Sequence, residues 1–541
     1  MKIASQVLVV GAGPVGLALA AELEIAGVHA VVVEQLAEPD TLQKARGVGV
    51  LAAEALRRRG LGTQLQTLHQ SGRGDYRRDM GSNHAHFAWI HKLDATVRGG
   101  QNRVPALIWQ PELERLLTDH AMGLGVELLR DHTVTAVNHD DTHVRVVLDT
   151  PSEQREFTAL YLVGCDGGRS AVRKLAEFDF PGIDSTVLGR VARLKLDHRA
   201  QFPAPTNNQH GSLQHTGLYD GWVRVRLNER DENAPDAHGG DRERSPVTVR
   251  EMRDAIQRVT GVDVAITEVQ EGRRFRDNSR QAATYRKGRV LLAGDAAHVH
   301  SPLGGQGLNL GIMDAVDLGW KLAAVLRGFG SDELLDSYTR ERHPVGAAVL
   351  NNTRAQAALL TPTPQVLALR EIVSDLMDIS DVKEYLGRML SGVGVRYPMP
   401  YDPGTDHELL GGHVPDFVVD DTTLYAIMSD GRPVLLHTPQ AGGIGGVAES
   451  WHDRVHVVPA LVLGRPDLSA ALIRPDGVLA WAATPSTAPD TTCLKAALHT
   501  WFGPPRPAAD DARPTQIPPP APRGDLIRSA SCSRRLRPRG G

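Results

Sequence analysis

QVLVVGAGPVGLALAAELEIAGVHAVVVE, residues 6–34, decides the fold. Residues 6–10 form a short apolar run that reads as a fully buried strand. Gly11, Gly13 and Gly16 follow at G-x-G-x-x-G spacing with Pro14 among them, and residues 15–26 continue with helical apolar spacing. A second buried strand, AVVVE, closes at Glu34, about 20 residues on, where a carboxylate meets a ribose. The first glycine permits the turn, the second lets a pyrophosphate approach the backbone, and the third lets helix pack on strand. The helix N-terminus then offers partial positive charge to the phosphates. Strand, helix, second strand and terminal acid agree on an α/β chain with a dinucleotide site.

The apolar stretch 7–21 has the look of an export signal, but it is too short to span a bilayer, carries Pro14 and runs into Glu22. No other segment approaches the ~20 apolar residues of a membrane helix. At 541 residues the chain exceeds a single core, and two or three domains are expected. A net charge of −4 gives no reason to expect nucleic acid or an anionic membrane as partner. Cys165, Cys493 and Cys532 are too scattered for a disulfide framework or a metal cluster, which fits a reducing cytoplasmic setting. A second glycine pattern, Gly443, Gly445 and Ala448 in GGIGGVAES, precedes a strand with no terminal acid and reads as a surface loop.

Two further stretches place acids at strand ends. YLVGCDGGRSAVRK (161–174) ends a strand at Asp166-Gly167, and LLAGDAAHVHSPLGGQGLNLGIMDA (291–315) ends one at Gly294-Asp295. Two such acids suit a long polyol-bearing cofactor lying along the edge of one sheet. Pro302, Gly304, Gly305 and Gly307 then lead into a helix, and the glycines let the backbone lie against something flat. The stripe Leu308, Ile312, Ala315, Gly319, Leu322 and Leu326 reads as core. His298 and His300 have no other ligand cluster nearby, so no metal is expected; His298 packs or hydrogen-bonds within the turn. No G-x-S-x-G or H-E-x-x-H occurs, and no catalytic side chain is assigned.

These residues carry a resemblance. GAGPVG with Glu34, CDGGRSAVR, and GDAAHVHSPLGGQGLNLGIMDAVDLGWKLA resemble the single-component FAD-dependent aromatic monooxygenases, whose prototype is para-hydroxybenzoate hydroxylase. Within that class the chain is similar to the branch acting on aromatic polyketides in antibiotic biosynthesis. The resemblance implies non-covalent FAD, with NADPH or NADH as a transient co-substrate. Asp295 would bind the ribityl chain and Glu34 the adenosine ribose. Gly304, Gly305, Gly307, Leu308 and Asn309 would run past the isoalloxazine ring beside Pro302. Arg46 would sit near the pyrophosphate, Gln110 would open a helix beside the flavin, and the Val134 backbone would meet the adenine. Asp166 would serve flavin and NADPH. One oxygen atom from O2 would pass to the substrate through a flavin C4a-(hydro)peroxide, with the protein positioning substrate and excluding water.

The expected architecture is a Rossmann-like FAD-binding domain with an inserted antiparallel-sheet substrate domain and a thioredoxin-like C-terminal domain. Residues 1–180 and 276–400 form the first, with 68–105 on the substrate side. Residues 181–275 alternate apolar and polar, as in GWVRVRL (221–227), and read as an antiparallel sheet with one wet face that would roof the flavin and carry the substrate. Trp89, Trp222 and Phe275 are candidate pocket walls, although ordinary core packing explains each as well. Residues 407–503 form the third unit, lacking C-x-x-C, with structural or dimer contacts as its role; the chain acts as monomer or homodimer. Residues 504–541, rich in Pro and Arg, read as a disordered tail, and the loop 228–246 as mobile. Three functions stay open: hydroxylation of an electron-rich polycycle, Baeyer–Villiger insertion at a ketone, and non-catalytic flavin-binding regulation.

Overall fold

The computed structural model describes residues 5–41, 44–80, 84–94, 103–185, 187–197, 201–215, 220–230, 245–361, 363–439, 441, 443–460, 462–463, 465–485 and 489–506. Its main element is an eight-stranded sheet. Five strands are parallel, in the order Val290–Leu292, Gln154–Gly164, Ser5–Val10, Ala30–Glu34 and Glu127–Arg130. The register sets Val10 beside Gly164, and Gly164 beside Leu292. Three carboxyl ends therefore finish level, and the residues that follow them, Gly11, Asp166 and Asp295, share one edge. Valine-rich runs such as AVVVE arise because the strands are covered on both faces. The helices Pro14–Ile25 and Gly307–Leu326 pack so closely that a Cβ on Gly319 would stand 2.5 Å from Glu22 Cβ.

A second sheet has five antiparallel strands, ordered Thr206–Asn208, Gly211–His215, Trp222–Arg230, Val187–Leu196 and Ile266–Arg276. Ala192, Leu194, Leu213, Val223, Val225 and Leu227 point to one face, where Met252, Ala255, Ile256 and Val259 of the helix Val249–Thr260 bury them. The alternation read in GWVRVRL is present, but its polar face looks into a cavity shared with the first sheet.

The hairpin of His84–Phe87 and Ile90–Asp94 closes the cavity at one side. Phe87, Ala88, Ile90 and Leu93 pack with Leu359, Met377 and Leu386, which anchors it to the helical segment after the long helix Asp332–Leu359. The C-terminal residues build a four-stranded sheet ordered His456–Pro459, Val434–His437, Ala470–Ile473 and Leu479–Ala483, backed by the helix Thr491–Phe502. Trp320 inserts into the cluster formed by Trp481, Trp501 and Phe502. The stretch expected as a glycine-rich surface loop instead starts a one-turn helix, Ile444–Ala448, whose two end residues are buried in this core. Residues 231–244 of the expected mobile loop and 507–541 of the expected tail lie outside the described residues.

Where the C-terminal unit meets the rest, five charges are buried together. Arg474 donates to Glu341 Oε1 at 2.7 Å and bonds Asp476, and Lys321 donates to Glu341 Oε2 at 2.7 Å and Asp317 Oδ1 at 2.8 Å. All five side chains are at most 5% exposed. The two cations pair with all three of the acids, whose spacing is close enough to hold a metal ion. Among the described residues, no helix is long and apolar enough to cross a membrane.

Candidate active site

The cavity between the two sheets has a volume of about 1990 Å³. That exceeds the roughly 300–1,000 Å³ of an ordinary small-molecule pocket and leaves room for a dinucleotide and a further ligand. Its floor is the carboxyl edge of the parallel strands. Gly11 holds φ +106°, and a Cβ there would meet Cys165 O at 2.6 Å. Gly16 lies against Gly11 O at 2.0 Å from its would-be Cβ, so it serves helix packing and does not line the cavity. Gly13 differs: no atom lies within 4 Å of its would-be Cβ, and it N-caps the helix Pro14–Ile25 without any side-chain cap. The first amides of that helix are thus presented bare to the cavity, as an anion site requires. Glu34 accepts from Ala12 N at 2.8 Å and from Leu36 N at 2.9 Å, which ties the glycine turn to the second strand. A carboxylate retains further lone pairs for a ribose hydroxyl.

The other two acids behave unlike each other. Asp166 Oδ2 accepts from Ala171 N at 2.6 Å and Val172 N at 3.1 Å, while its Oδ1 is buried with no partner. Burial pushes the carboxyl upward, against those hydrogen bonds. Asp295 stands exposed on the cavity wall between the buried Gly294 and Ala296. Its Oδ1 lies 3.8 Å from the position of a Cβ on Gly307, so acid and helix start share one spot.

That start is also bare. Gln306 caps Gly307–Leu326 without a side-chain hydrogen bond to it, because its amide reaches Met389 O and Leu390 O at 3.3 Å. Gly304 and Gly305 both hold positive φ, +77° and +63°, and line the cavity with Pro302, Gly307 and Leu308. Asn309 does not line it; its amide bridges Gly305 O, at 3.1 Å, and Gly49 N, clamping two loops together. Beneath the turn, His298 Nε2 meets Asp314 Oδ2 at 2.7 Å, both fully buried. Arg46, Gln110 and Val134 all line the cavity. Gln110 N donates to Ala45 O at 3.0 Å, and Arg46 lies 5.1 Å from the Trp109 ring.

Trp89 and Phe275 line the roof. The Phe275 ring lies flat over Gly189, its cross-strand partner, where a Cβ would be 2.1 Å away. Trp89 holds φ +62° and stacks on His86 at 4.4 Å. Burial, with His91 and Arg226 adding, lowers His86 to about 4, so it is neutral. Trp222 is not brought to the cavity. It sits at the far end of its strand, under Arg193 at 4.8 Å and Lys195 at 5.7 Å. Sequence reasoning missed the arginines of the roof: Arg224, Arg226 and Arg273 all line the cavity. For two of them the signal was there in WVRVR, where Arg224 and Arg226 alternate with valine.

Comparison with known proteins agrees with this geometry. Residues 4–353 match the model of an FAD binding domain, and 407–505 that of the C-terminal domain of aromatic-ring hydroxylases. The chain belongs to the FAD-dependent aromatic-ring monooxygenases. It is 40% identical over 516 residues to 12-dehydrotetracycline 5-monooxygenase/anhydrotetracycline 6-monooxygenase of Streptomyces rimosus, covering 92% of this chain and 99% of that one. It is 37% identical to rifampicin monooxygenase of Streptomyces venezuelae over 92% of this chain and 98% of the other. The solved structure of OxyS anhydrotetracycline hydroxylase from Streptomyces rimosus superposes with a TM-score of 0.82 at 39% identity, covering 93% of this chain and 99% of that one. As a member of this family, the chain is an FAD flavoprotein and an oxidoreductase of the monooxygenase type.

Proposed function

We propose that this chain is an NAD(P)H-dependent hydroxylase that inserts one atom of O2 into a polycyclic aromatic polyketide in antibiotic biosynthesis, in the cytoplasm. The observation that carries the reading is the meeting of three features in one cavity: the bare turn at Gly13, the open carboxylate of Asp295, and the uncapped helix start at Gly307. These fit FAD. Gly13 leaves space for phosphate, Asp295 offers acceptors to hydroxyls, and Gly304 and Gly305 keep side chains off a flat ring. The substrate class is supported by the tetracycline and rifampicin monooxygenases among the relatives.

Bound FAD, reduced by NAD(P)H, supplies the activation of O2 and the transfer of one oxygen atom. The chain's part is electrostatic and steric. Backbone N–H groups at Gly307 and the residues after it stabilise negative charge on the reduced ring. Glu34 and Arg46 hold the adenosine and pyrophosphate end. The five-stranded sheet, with Trp89 and Phe275, roofs the site and positions the polycycle while keeping water away. Residues 407–503, a thioredoxin-like unit without C-x-x-C, brace the floor through Arg474 and take no part in redox chemistry.

The test is product analysis. Purified protein should be yellow and release FAD on denaturation. With NADPH and a panel of tetracyclic and angucyclic compounds, at least one substrate should gain a single oxygen as a phenol or tertiary alcohol. A lactone product would overturn hydroxylation in favour of Baeyer–Villiger insertion. FAD binding without any substrate-dependent NAD(P)H oxidation would favour a non-catalytic role.

A further inference from the structure

The hairpin that closes the cavity turns on two residues ill suited to the turn. Phe87 pairs with Ile90, so Ala88 and Trp89 alone join the strands His84–Phe87 and Ile90–Asp94. Both hold positive φ, +48° and +62°. A two-residue hairpin loop of this kind favours Asn-Gly, and a residue with a bulky side chain is strained there. The strain is held from outside. Ala88 N donates to Gln356 Oε1 at 3.0 Å, and Ala88 O accepts from Arg370 Nη1 at 2.5 Å. What the turn delivers is Trp89, which lines the cavity.

Gln356 is also the first member of a buried chain of amides. Its Nε2 donates to Asn352 Oδ1 at 3.2 Å, one turn earlier on the helix Asp332–Leu359. Asn352 Nδ2 donates to Gln306 Oε1 at 2.6 Å, and Gln306 Nε2 donates to Met389 O and Leu390 O at 3.3 Å. All three side chains are buried. Each amide turns its oxygen toward the hairpin and its nitrogen away from it. Backbone groups fix that polarity at both ends: the Ala88 N–H can only donate, and the carbonyls of Met389 and Leu390 can only accept. Turning any one amide over would set donor against donor and acceptor against acceptor. Gln306 stands between Gly305 and Gly307, and Gln356 Nε2 lies 3.2 Å from the would-be Cβ of Gly304. The chain therefore joins the wall that carries Trp89 to the glycine loop, while Gln356 and Asn352 themselves stay out of the cavity lining. A buried network with every member satisfied is rigid.

We infer that Gln356 is a positioning residue for oxygen transfer: it holds the Trp89 turn in register with the loop Gly304–Gly307, and so fixes how a polycycle resting on Trp89 stands to the flavin. It touches neither substrate nor cofactor and acts through Ala88. This rests on the hydroxylase reading, to which the flavin at the glycine loop and the polycycle at Trp89 belong. A misplacement of about 1 Å costs on the order of a hundredfold in rate. With the substrate misplaced, NAD(P)H, O2 and one proton yield NAD(P)+ and hydrogen peroxide in place of hydroxylated product and water.

The experiment uses FAD-loaded protein. Gln356→Met keeps the length of the side chain and removes both hydrogen bonds. Hydrogen–deuterium exchange at the Ala88 amide should quicken on the order of tenfold to a hundredfold, while FAD affinity, read by fluorescence titration, stays close to wild type. With the tetracyclic or angucyclic compound that most stimulates NADPH oxidation in wild type, the share of NADPH ending as peroxide should rise several-fold. Gln356→Met/Ala88→Gly relaxes the turn and should recover part of the coupling. Asn352→Leu cuts the chain one link on and should also raise the peroxide share, so the test stands even where Gln356→Met does not fold. Wild-type exchange at Ala88, or unchanged coupling in both single variants, overturns the inference. So does a rise in peroxide that tracks loss of FAD and that Ala88→Gly leaves untouched, the mark of a merely structural role. If no compound stimulates NADPH oxidation in wild type, the hydroxylase reading falls and the role in oxygen transfer falls with it. Quickened Ala88 exchange then assigns that failure to the reading and not to the tie between hairpin and loop.

Discussion

Gly294 N donates to Asp314 Oδ2 at 3.0 Å, which fastens the turn bearing Asp295 to the middle of the helix Gly307–Leu326. The same carboxylate takes His298 on Oδ2 and Arg342 Nε on Oδ1 at 2.7 Å, and Arg342 reaches the Tyr397 hydroxyl at 2.8 Å. Burial pushes Asp314 up, yet Arg342 and His298 outweigh it and hold the carboxyl below its usual range. Asp314→Asn removes the charge and leaves Arg342 buried and unpaired. Urea unfolding should show a loss of about 3–5 kcal/mol, the usual consequence of breaking a buried pair from one side. Bound flavin should fall with it.

Asp295→Ala removes acceptors for hydroxyls and, among the described residues, breaks no side-chain hydrogen bond. FAD affinity should fall on the order of tenfold to a hundredfold, from the ~1.5–3 kcal/mol of a charge-assisted bond. Asp295→Asn should be milder, since one oxygen remains. Fluorescence titration of the flavin-free protein gives both values, and unchanged affinity in Asp295→Ala would remove this residue from the cofactor site.

Gly13 and Gly11 make opposite predictions although both belong to one motif. Gly13 has φ −75° and open space around its would-be Cβ, so Gly13→Val should fold with an almost unchanged Tm and fail to retain FAD. Gly11→Ala must bear φ +106° and a 2.6 Å contact with Cys165 O. It should cost about 1–3 kcal/mol of stability even without flavin. Thermal melts of flavin-free protein separate the cases.

Gly305 has φ +63° and nothing within 4 Å of a would-be Cβ. Gly305→Val places a branched side chain in the cavity on strained backbone. Substrate should no longer sit correctly, and a larger share of NADPH oxidation should end as hydrogen peroxide. Comparing NADPH consumed, peroxide released and product formed decides it. Tightly coupled turnover with full FAD content would mean that this loop does not line the flavin.

The buried charge cluster predicts an asymmetric response to pH and mutation. Burial raises Asp317, whereas Arg474 and Lys321 hold Glu341 well below the carboxylate range against burial. A depressed folded value means that the Glu341 contribution is complete above its unfolded pKa of about 4.3 and fades as pH falls below that. Glu341→Gln should therefore destabilise by about 3–5 kcal/mol at pH 7 and flatten the acid limb of the stability curve below pH 4. Asp317→Asn, at the acid that burial pushes upward, should destabilise by less than Glu341→Gln does. Urea midpoints from pH 3 to 8 test both.

The parallel sheet and its edge were legible because the evidence is local: apolar runs, glycines and terminal acids stand within a few residues of one another. Register then brought Gly11, Asp166 and Asp295 together, as strand ends in one sheet must be. The roof was harder. Alternation in WVRVR tells that Arg224 and Arg226 share a face but is silent on what that face meets, so neither was singled out. Trp222, on the same face, lies too far along the strand to reach the cavity. Arg474 was invisible for a different reason. In RPDG it has the composition of an exposed turn, and only packing of the C-terminal sheet against Trp320, Lys321 and Glu341 buries it.

That burial has a consequence for how the protein comes into being. Asp317 lies on the helix that begins at the flavin-facing turn, and its partner Arg474 stands 157 residues later in the chain. As the polypeptide leaves the ribosome, N-terminal segments fold first. Lys321 can already pair with Asp317 and Glu341, but those two acids share its single ammonium until Arg474 emerges. A chain ending before Arg474 would bury Asp317 and Glu341 against one cation where the whole chain supplies two.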